Sequence, residues 1–226
     1  MLLGKKIIGT ISYMGGVPTV PEPFLHSWSQ MIEYNADYLC ETNERINYDN
    51  ALISFHAAAR NNLVDTMKGE WLLMLDTDHQ FEPDLAARML FCMNQYDIDV
   101  LTGIYTHKTP PHVPVIYKYE KNGFAPLVIL EKNVRILEID SAGAGCLMVR
   151  KSVFDRIREK GESPFDITHP YGEDHSFFLR LRKLKIKSYC NPHIECHHLA
   201  WKGTNIADIV LEDLQLKKRM DVKGMK

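Results

Sequence analysis

The most constraining feature of this sequence is a short apolar run that ends in two carboxylates. Residues 71–75 (Trp-Leu-Leu-Met-Leu) are followed at once by Asp76-Thr77-Asp78, and Pro83 then opens an amphipathic helical pattern. A continuous apolar run of this length is typical of a strand that is buried on both faces of a sheet. Proline is tolerated in the first turn of a helix. The chain must therefore fold around a buried strand that ends in Asp-x-Asp and leads into a helix.

Two acids at the end of such a strand predict a divalent cation site. Carboxylate oxygens are the hard ligands that Mg²⁺ or Mn²⁺ prefers, and a metal supplies the positive charge that a phosphate leaving group needs. The pattern alone is not specific, because residues 97–99 (Asp-Ile-Asp) repeat it. That second copy precedes an apolar run, residues 100–105, instead of following one. We therefore predict that the second copy is a polar turn.

Apolar strand patterns and helical patterns alternate along the first half of the chain. In chain order we predict strand 6–13, helix 24–35, strand 37–42, helix 48–67, strand 71–75, a helix after Pro83 and strand 100–105. This alternation favours a mostly parallel sheet with helices on both faces. Such sheets bind ligands at the carboxyl ends of their strands. The Gly- and Pro-rich loop of residues 14–23 is therefore a candidate wall of the site, although a simple connector would look the same.

The second half of the chain is richer in strands and contains a segment of small residues. Short strands are predicted at 113–119, 127–131 and 134–139, with a turn at Asn122-Gly123. Residues 141–145 (Ser-Ala-Gly-Ala-Gly) would let the backbone approach a ligand and would expose amide groups. A β-bulge or a tight turn explains these small residues equally well.

Glu173 and Asp174 open a helical pattern after an irregular loop at residues 164–172. Acids in the first turn of a helix are favoured by the helix dipole, so capping alone would explain both. An acid that a loop presents beside a cleft could equally act as a general base. The sequence leaves both interpretations open.

A segment rich in cysteine and histidine comes late in the chain. Residues 190–198 contain two cysteines and three histidines, but they lie along one predicted strand. Structural zinc sites usually need two well-spaced pairs of ligands, so this segment is a poor zinc site. Side chains alternate along a strand, so His197 and His198 must point to opposite faces. One of them can reach a metal held by Asp78, and the other cannot.

Composition excludes several classes of function. The 226 residues suffice for one sizeable domain, and the net charge of −2 gives no general attraction to nucleic acid or anionic membranes. Only the end of the chain is locally basic (Lys217, Lys218, Arg219, Lys223, Lys226), which is typical of a solvated tail. The sequence has no apolar run of the roughly 18 residues that a membrane span requires, and its first residues do not resemble a signal peptide. Five scattered cysteines fit reduced thiols. We expect a cytoplasmic protein.

Together these segments resemble the inverting, family-two-like glycosyltransferases of the GT-A fold, especially short bacterial or phage-type members. The resemblance covers residues 6–201, and its motifs occur in the family's order. They are Ala59-Arg60-Asn61, residues 71–78 with Pro83, Gly103-Ile104-Tyr105, residues 143–154, Gly172-Glu173-Asp174 and His198-Leu199-Ala200. The implied fold is a Rossmann-like α/β domain with a small mixed β region on the acceptor side.

The resemblance also implies how the chain is divided. Residues 1–204 would form a single domain, in which residues 1–106 bind the nucleotide sugar and residues 107–204 form the acceptor side. Residues 205–226 would form a C-terminal helix and a basic tail.

The resemblance implies a donor and a metal. The donor would be a UDP- or GDP-sugar, and the cofactor would be Mn²⁺ or Mg²⁺. Asp78 would ligate the metal, Asp76 would contact the ribose or reach the metal through water, and His198 would complete the site. Because Ala200 replaces the family's usual Gly, the choice between His197 and His198 stays open.

Further donor contacts are implied at other strand ends. Ile11 and Ser12, together with Glu41 or Asn43, would bracket the base and ribose; family members often carry an Asp where this sequence offers Glu41. Arg60 would face the phosphates, and Thr77 would lie within the donor site. The donor sugar and the acceptor would lie in a cleft lined by Gly143, Ala144 and Gly145.

For the reaction, the resemblance implies that Asp174 deprotonates the acceptor hydroxyl, with Glu173 as its partner or as an acceptor contact. The acceptor could be a saccharide, a lipid-linked glycan, a protein or a modified nucleic-acid base. Three alternatives remain: a retaining GT-A enzyme, a sugar-nucleotide nucleotidyltransferase, and a non-catalytic nucleotide-sugar-binding module. The second is disfavoured because residues 14–18 contain no basic side chain.

Overall fold

The computed structural model describes residues 5–14, 20–51, 55–127 and 134–199. Within these ranges the chain forms an eight-stranded sheet, a separate three-stranded sheet and five α-helices. In chain order the elements are β1 (Lys6–Met14), α1 (Glu22–Tyr38), β2 (Glu44–Ala51), α2 (His56–Thr66), β3 (Trp71–Asp76), β4 (His79–Phe81), α3 (Leu85–Tyr96), β5 (Val100–Ile104), β6 (Ile116–Glu120), β7 (Gly123–Pro126), β8 (Leu137–Ile139), β9 (Ser141–Ala142), β10 (Cys146–Arg150), α4 (Lys151–Arg158), α5 (Glu173–Lys183) and β11 (Ser188–His198).

The large sheet has the order β2-β1-β3-β10-β5-β11-β4, and β8 pairs with β11. Strands β1, β2, β3, β5 and β11 run in one direction, whereas β4, β8 and β10 run in the opposite direction. The small sheet has the order β7-β6-β9. The carboxyl ends of five strands therefore meet at one edge of the large sheet, where α/β proteins bind their ligands.

Helices cover both faces of this sheet, as β3 illustrates. Leu72 and Met74 pack in the same core as residues of α2, α4 and α5, whereas Leu73 and Leu75 pack with residues of α1 and α3. Alternate side chains of one strand thus enter two separate cores, which is why residues 71–75 read as a continuous apolar run. The α/β fold class predicted from the sequence, with helices on both faces, is confirmed.

The prediction was wrong at the second strand. Residues 37–42, predicted as a strand, contain the end of α1 and the turn after it, while β2 occupies residues where the second helix was predicted to begin. Helix α1 extends this far because Met31, Asn35 and Leu39 continue one buried stripe at a spacing of four residues. The polar Asn35 hides that stripe in the sequence.

In the second half, the hairpin of β6 and β7 turns at Lys121-Asn122, one residue earlier than predicted. The strand predicted at 127–131 falls mainly on residues 128–133, which lie outside the described residues, as do residues 200–226 with their predicted helix and basic tail. Among the helices of the described ranges, none is both long enough and apolar enough to cross a membrane.

Candidate active site

The site forms where β3 ends between two neighbouring strands. Asp76 pairs in register with Met14 of β1, and its backbone N–H donates to the carbonyl of Gly145 at 3.0 Å. After Asp78 the chain turns into β4, where His79 pairs directly with His198 of β11. A short strand thus joins the Asp-x-Asp segment to a histidine more than a hundred residues later.

Asp78, His79 and His198 form a cluster that could hold a metal ion. One candidate ligand atom of each lies within 4.8 Å of the others, and Asp78 Oδ1 is 3.9 Å from His198 Nε2. Asp78 Oδ1 and His79 Nε2 are both buried and have no hydrogen-bond partner. A buried polar atom without a partner costs about 1–3 kcal/mol. A cation would satisfy both atoms, so the residues present fit a metal.

The two imidazole rings are already oriented for this role. His79 Nδ1 lies 3.0 Å from the carbonyl oxygen of Gly145, and His198 Nδ1 contacts the carbonyl oxygen of Thr106. Because a carbonyl oxygen only accepts hydrogen bonds, both Nδ1 atoms must donate, which leaves a lone pair on each Nε2. Backbone carbonyls commonly orient metal-binding histidines in this way. The rings stack with their centroids 4.4 Å apart.

The protonation states also suit metal binding. Burial lowers the pKa of His79 to about 4, and burial lowers the pKa of His198 as well. Burial works to raise the pKa of Asp78, but the neighbouring His79 and Lys108 outweigh it, and that pKa lies below its usual value. At neutral pH the cluster therefore offers two neutral imidazoles and one carboxylate.

Asp76 faces a different partner. Its Oδ1 accepts a hydrogen bond from Arg60 Nη2 at 3.0 Å, and its Oδ2 lies beside Gly145. A Cβ atom on Gly145 would lie 2.8 Å from Asp76 Oδ2 and 2.5 Å from His79 Cε1, so only glycine fits there. Asp76 is not a member of the three-residue cluster; the prediction was that it contacts the ribose or reaches the metal through water.

Arg60 joins the two sides of the site. Its side chain is only 3% exposed; Nη1 donates to the carbonyl of Ala144 at 2.9 Å, and Nε lies 3.5 Å from Glu173 Oε1. With its contact to Asp76, the guanidinium connects the end of β3 to the start of α5. It was predicted to face phosphates, but in the structure its nitrogens face protein oxygens.

Glu173 and Asp174 form the first turn of α5, after Gly172. Within the first turn, Asp174 Oδ1 accepts a hydrogen bond from the backbone N–H of the next residue, His175, at 2.7 Å, although the N-cap residue is Gly172. Burial raises the pKa of Asp174 above its usual value. A carboxylate with a raised pKa is a better proton acceptor near neutral pH. The capping and general-base interpretations are therefore compatible at this position.

Several residues predicted to contact the donor have side chains that are buried or lie away from the carboxyl edge of the sheet. Ile11 and Ser12 are fully buried, and Ser12 Oγ donates to the carbonyl of Leu73 at 3.2 Å, so neither side chain reaches the sheet edge. Thr77, which lies between the two acids, is also buried, with only 8% of its surface exposed. Glu41 and Asn43 precede β2 and therefore lie at its amino end. They were predicted at the carboxyl end because the strand was predicted several residues too early, at 37–42.

Asp49 occupies the position that Glu41 was expected to hold. It lies near the carboxyl end of β2, pairs in register with Ser12, and accepts a hydrogen bond from Thr66 Oγ1 at 2.7 Å. The signal in the sequence was the alternation of Ile46 and Tyr48 with polar neighbours, which is typical of a strand.

The small residues at 143–145 lie at the site, and two of their backbone N–H groups have partners within the protein. Gly143 N–H donates to the carbonyl of Val115 at 3.1 Å, and Gly145 N–H donates to the Tyr105 hydroxyl at 3.1 Å. A Cβ atom on Gly143 would lie 2.0 Å from that hydroxyl. Gly143 and Gly145 are small because Tyr105, His79 and Asp76 crowd against them. The amides of Gly143 and Gly145 thus donate within the protein, while the approach of this backbone to a ligand stays a prediction.

The sequence reasoning missed His79, Tyr105 and Lys108. Tyr105 packs beside His79 with ring centroids 4.6 Å apart, and the Lys108 ammonium contacts Asp78 Oδ2. His79 directly follows the Asp-x-Asp segment, so its position in the sequence could have indicated a further metal ligand. His197, in contrast to His198, is 39% exposed and faces Glu195.

The family described as Glycosyl transferase family 2 matches residues 37–158, which is more than half of the chain. The chain belongs to glycosyltransferase family 2. The matched part of this glycosyltransferase includes Arg60, Asp76 and Asp78, but it ends before Asp174 and His198. Members of the family generally use a nucleotide sugar and a divalent metal.

Solved structures support the fold independently. The chain is similar to the one in "Crystal Structure of A197 from STIV", with 18% identity, a TM-score of 0.56 and 84% of each chain covered. At that identity the likeness shows the fold alone, which is consistent with a GT-A arrangement. No curated protein matches this sequence.

Proposed function

We propose that this protein is a metal-dependent, inverting glycosyltransferase that moves a sugar from a nucleoside-diphosphate sugar to an acceptor hydroxyl. The observation that supports this most directly is the pair of unpartnered buried atoms, Asp78 Oδ1 and His79 Nε2, beside His198. Arg60 links this cluster's neighbour Asp76 to Glu173 at the start of α5. In this proposal residues 1–204 act as one domain.

The metal is held by Asp78, His79 and His198, with Asp76 beside them. Two imidazoles and one carboxylate suit Mn²⁺ better than Mg²⁺, which prefers an octahedron of oxygen ligands. When bound, the metal neutralises charge on the departing diphosphate. His79 thus joins Asp78 and His198 as a direct ligand, a role that was not predicted for it from the sequence.

Asp174 is the general base. Its carboxylate accepts the proton of the acceptor hydroxyl while that oxygen forms a bond to the anomeric carbon, and the bond from the anomeric carbon to the diphosphate breaks. Burial supports this role because it raises the pKa of Asp174. Glu173 is held by Arg60 and positions the start of α5.

The nucleoside end of the donor lies near Asp49 in this proposal. The resemblance implies an acid at the end of the second strand, and Asp49 has that position in place of Glu41. The donor is a UDP- or GDP-sugar, and the acceptor is a saccharide, a lipid-linked glycan, a protein or a modified nucleic-acid base.

A donor screen tests the proposal. Wild-type protein is incubated with Mn²⁺ and a panel of nucleotide sugars, and mass spectrometry detects the released nucleoside diphosphate. We expect release from one donor class. Loss of an intact nucleotide or of pyrophosphate instead would favour nucleotidyl transfer, and the absence of any release would favour a binding module. An α-linked product from an α-linked donor would contradict inversion while leaving glycosyl transfer intact.

A further inference from the structure

One exposed loop lies next to the candidate metal-binding cluster of Asp78, His79 and His198. It leaves β5 and returns through a bridge between Thr106 and Pro114, and His107 N–H donates to the Val113 carbonyl at 3.0 Å. Residues 107–111 of its tip are exposed. The base of the loop is thus fixed to the scaffold, since Thr106 also contacts His198, while the tip reaches into solvent at the carboxyl edge.

Lys108 lies on this tip and extends its ammonium to Asp78 Oδ2. Its side chain is 47% exposed and that of Asp78 is 35% exposed, so water reaches the pair. Ion pairs exposed to this degree contribute about 0–1 kcal/mol. Little free energy therefore opposes moving the ammonium to another anion, and the flexible lysine stem allows that movement without a change of backbone.

The two oxygens of Asp78 have different surroundings. Oδ2 meets Lys108, whereas Oδ1 has no hydrogen-bond partner and faces His198 Nε2 at 3.9 Å. A cation at the cluster can use Oδ1 without displacing Lys108. The lysine then stands next to whatever anion the cation binds.

The site has more carboxylates than cations to balance them. Asp76, Asp78, Glu173 and Asp174 lie around it. Among the described lysines and arginines, Arg60 and Lys108 are the two that form ion pairs with these acids. Arg60 is buried between its own two carboxylates and a backbone carbonyl, so it cannot turn to a ligand. Positive charge beyond the metal would stabilise a diphosphate in this site, and of the two described cations paired with these acids Lys108 is the one that can exchange partners.

We propose that Lys108 binds the diphosphate of the donor, moving its ammonium from Asp78 to a phosphate oxygen when the donor occupies the metal site. This inference rests on the proposed function and adds a specific phosphate-binding residue to it. The competing explanation is that Lys108 only neutralises Asp78 when no metal is bound.

The two explanations predict different effects of Lys108→Ala on the binding of pyrophosphate. Binding weakens if Lys108 contacts phosphate, and it is unchanged or tighter if Lys108 only neutralises Asp78. Calorimetric titrations are made first with Mn²⁺ alone and then with the manganese–pyrophosphate complex, a probe that does not depend on the base or the sugar. Because the substitution removes a positive neighbour of Asp78, we expect Mn²⁺ to bind as well as in the wild type or more tightly. We expect pyrophosphate to bind about tenfold more weakly, as the loss of one charge-assisted hydrogen bond predicts.

Two further variants make the test specific. Lys108→Arg keeps the charge and is expected to stay within about threefold of wild type, since Arg also binds phosphate. Lys187→Ala removes an equally simple exposed ion pair, with Glu138 at 2.8 Å, and is expected to change neither titration.

The possible outcomes distinguish the role of Lys108 from the existence of the donor site. Unchanged or tighter pyrophosphate binding in Lys108→Ala would overturn the role of Lys108 and leave the donor site in place. If the wild type binds Mn²⁺ but not manganese–pyrophosphate, the proposed donor site itself is wrong, and the role of Lys108 fails with it.

Discussion

Two Asp-x-Asp segments occur in this chain, and the fold treats them differently. Asp97 ends α3 in a left-handed conformation (φ 51°), and Asp99 meets Arg150 Nε at 3.5 Å on the surface. Asp76 instead ends a buried strand and pairs with the buried Arg60, and Asp78, two residues later, lies beside the buried His79. The prediction that the copy at 97–99 is a polar turn before a strand is confirmed. The comparison teaches that the chemistry of an Asp-x-Asp motif depends on its location in the fold, because the same residue pattern has different surroundings in the two places.

The largest expected difference between the two copies is in activity. Asp78→Asn removes the only carboxylate of the metal cluster, and we expect kcat/KM to fall about 1000-fold or more, because a metal supplies several kcal/mol of charge stabilisation. The matched variant Asp99→Asn should stay within about twofold of wild type. Steady-state kinetics with the donor found in the screen measure both, and equal losses in the two variants would remove the distinction.

The arginine partners of the two copies should differ in stability. Arg60→Met leaves Asp76 and Glu173 without their buried partner, and we expect the free energy of unfolding to fall by about 3–5 kcal/mol. Arg150→Met breaks an exposed pair with Asp99 and should cost no more than about 1 kcal/mol. Urea denaturation monitored by circular dichroism compares the variants, and similar midpoints would show that Arg60 is not a structural link.

Asp174, at the start of α5, is the proposed general base of the site that contains Asp76 and Asp78. Asp174→Asn keeps the shape of the side chain and an oxygen that can accept the His175 N–H, so the fold should survive while kcat falls about 100-fold or more. Activity close to that of the wild type in a folded variant would exclude Asp174 as the base.

The pH dependence of the wild type follows from the same residue. Only the ionised form of Asp174 can accept a proton, and burial raises its pKa. The acidic limb of the kcat/KM profile should therefore lie above the usual pKa of an aspartate, with activity lost as pH falls through it. A limb at the ordinary value, or one that persists unchanged in Asp174→Asn, would contradict the assignment.

The smallest expected effect separates two histidines. His79→Gln removes one nitrogen ligand beside the first copy and should weaken Mn²⁺ binding about 10-fold, equal to about 1.4 kcal/mol. His197→Gln, which alters an exposed side chain that faces Glu195, should leave Mn²⁺ binding unchanged. Calorimetry provides both constants, and an unchanged constant in folded His79→Gln would show that His79 is not a metal ligand.

The parts of the fold that could be predicted depend on local pattern. The run at 71–75 and the helix after Pro83 could be read because their burial repeats with strand or helix periodicity. Strand β2 was missed although Ile46 and Tyr48 alternate with polar neighbours, because the polar Asn35 interrupts the apolar stripe of α1 and the end of that helix then resembles a strand. Asp49 was therefore overlooked.

The contacts within the site were harder to predict, because they join distant segments. Asp78 and His198 could be proposed from the resemblance, but the place of His79 depends on the pairing of β4 with β11. Arg60 was expected to meet phosphates because its segment resembles the family's; that it lies between Asp76 and Glu173 follows from the packing of α2, β3 and α5, which no local pattern encodes.

The central claim is that Asp76-Thr77-Asp78 and its neighbours bind a metal that holds a nucleoside diphosphate. The most direct test is a calorimetric titration of wild-type protein with UDP and with GDP, with and without Mn²⁺. We predict that one nucleotide binds only when Mn²⁺ is present and that Asp78→Asn abolishes this binding. Equal binding without the metal, or no binding of either nucleotide in its presence, would contradict the claim.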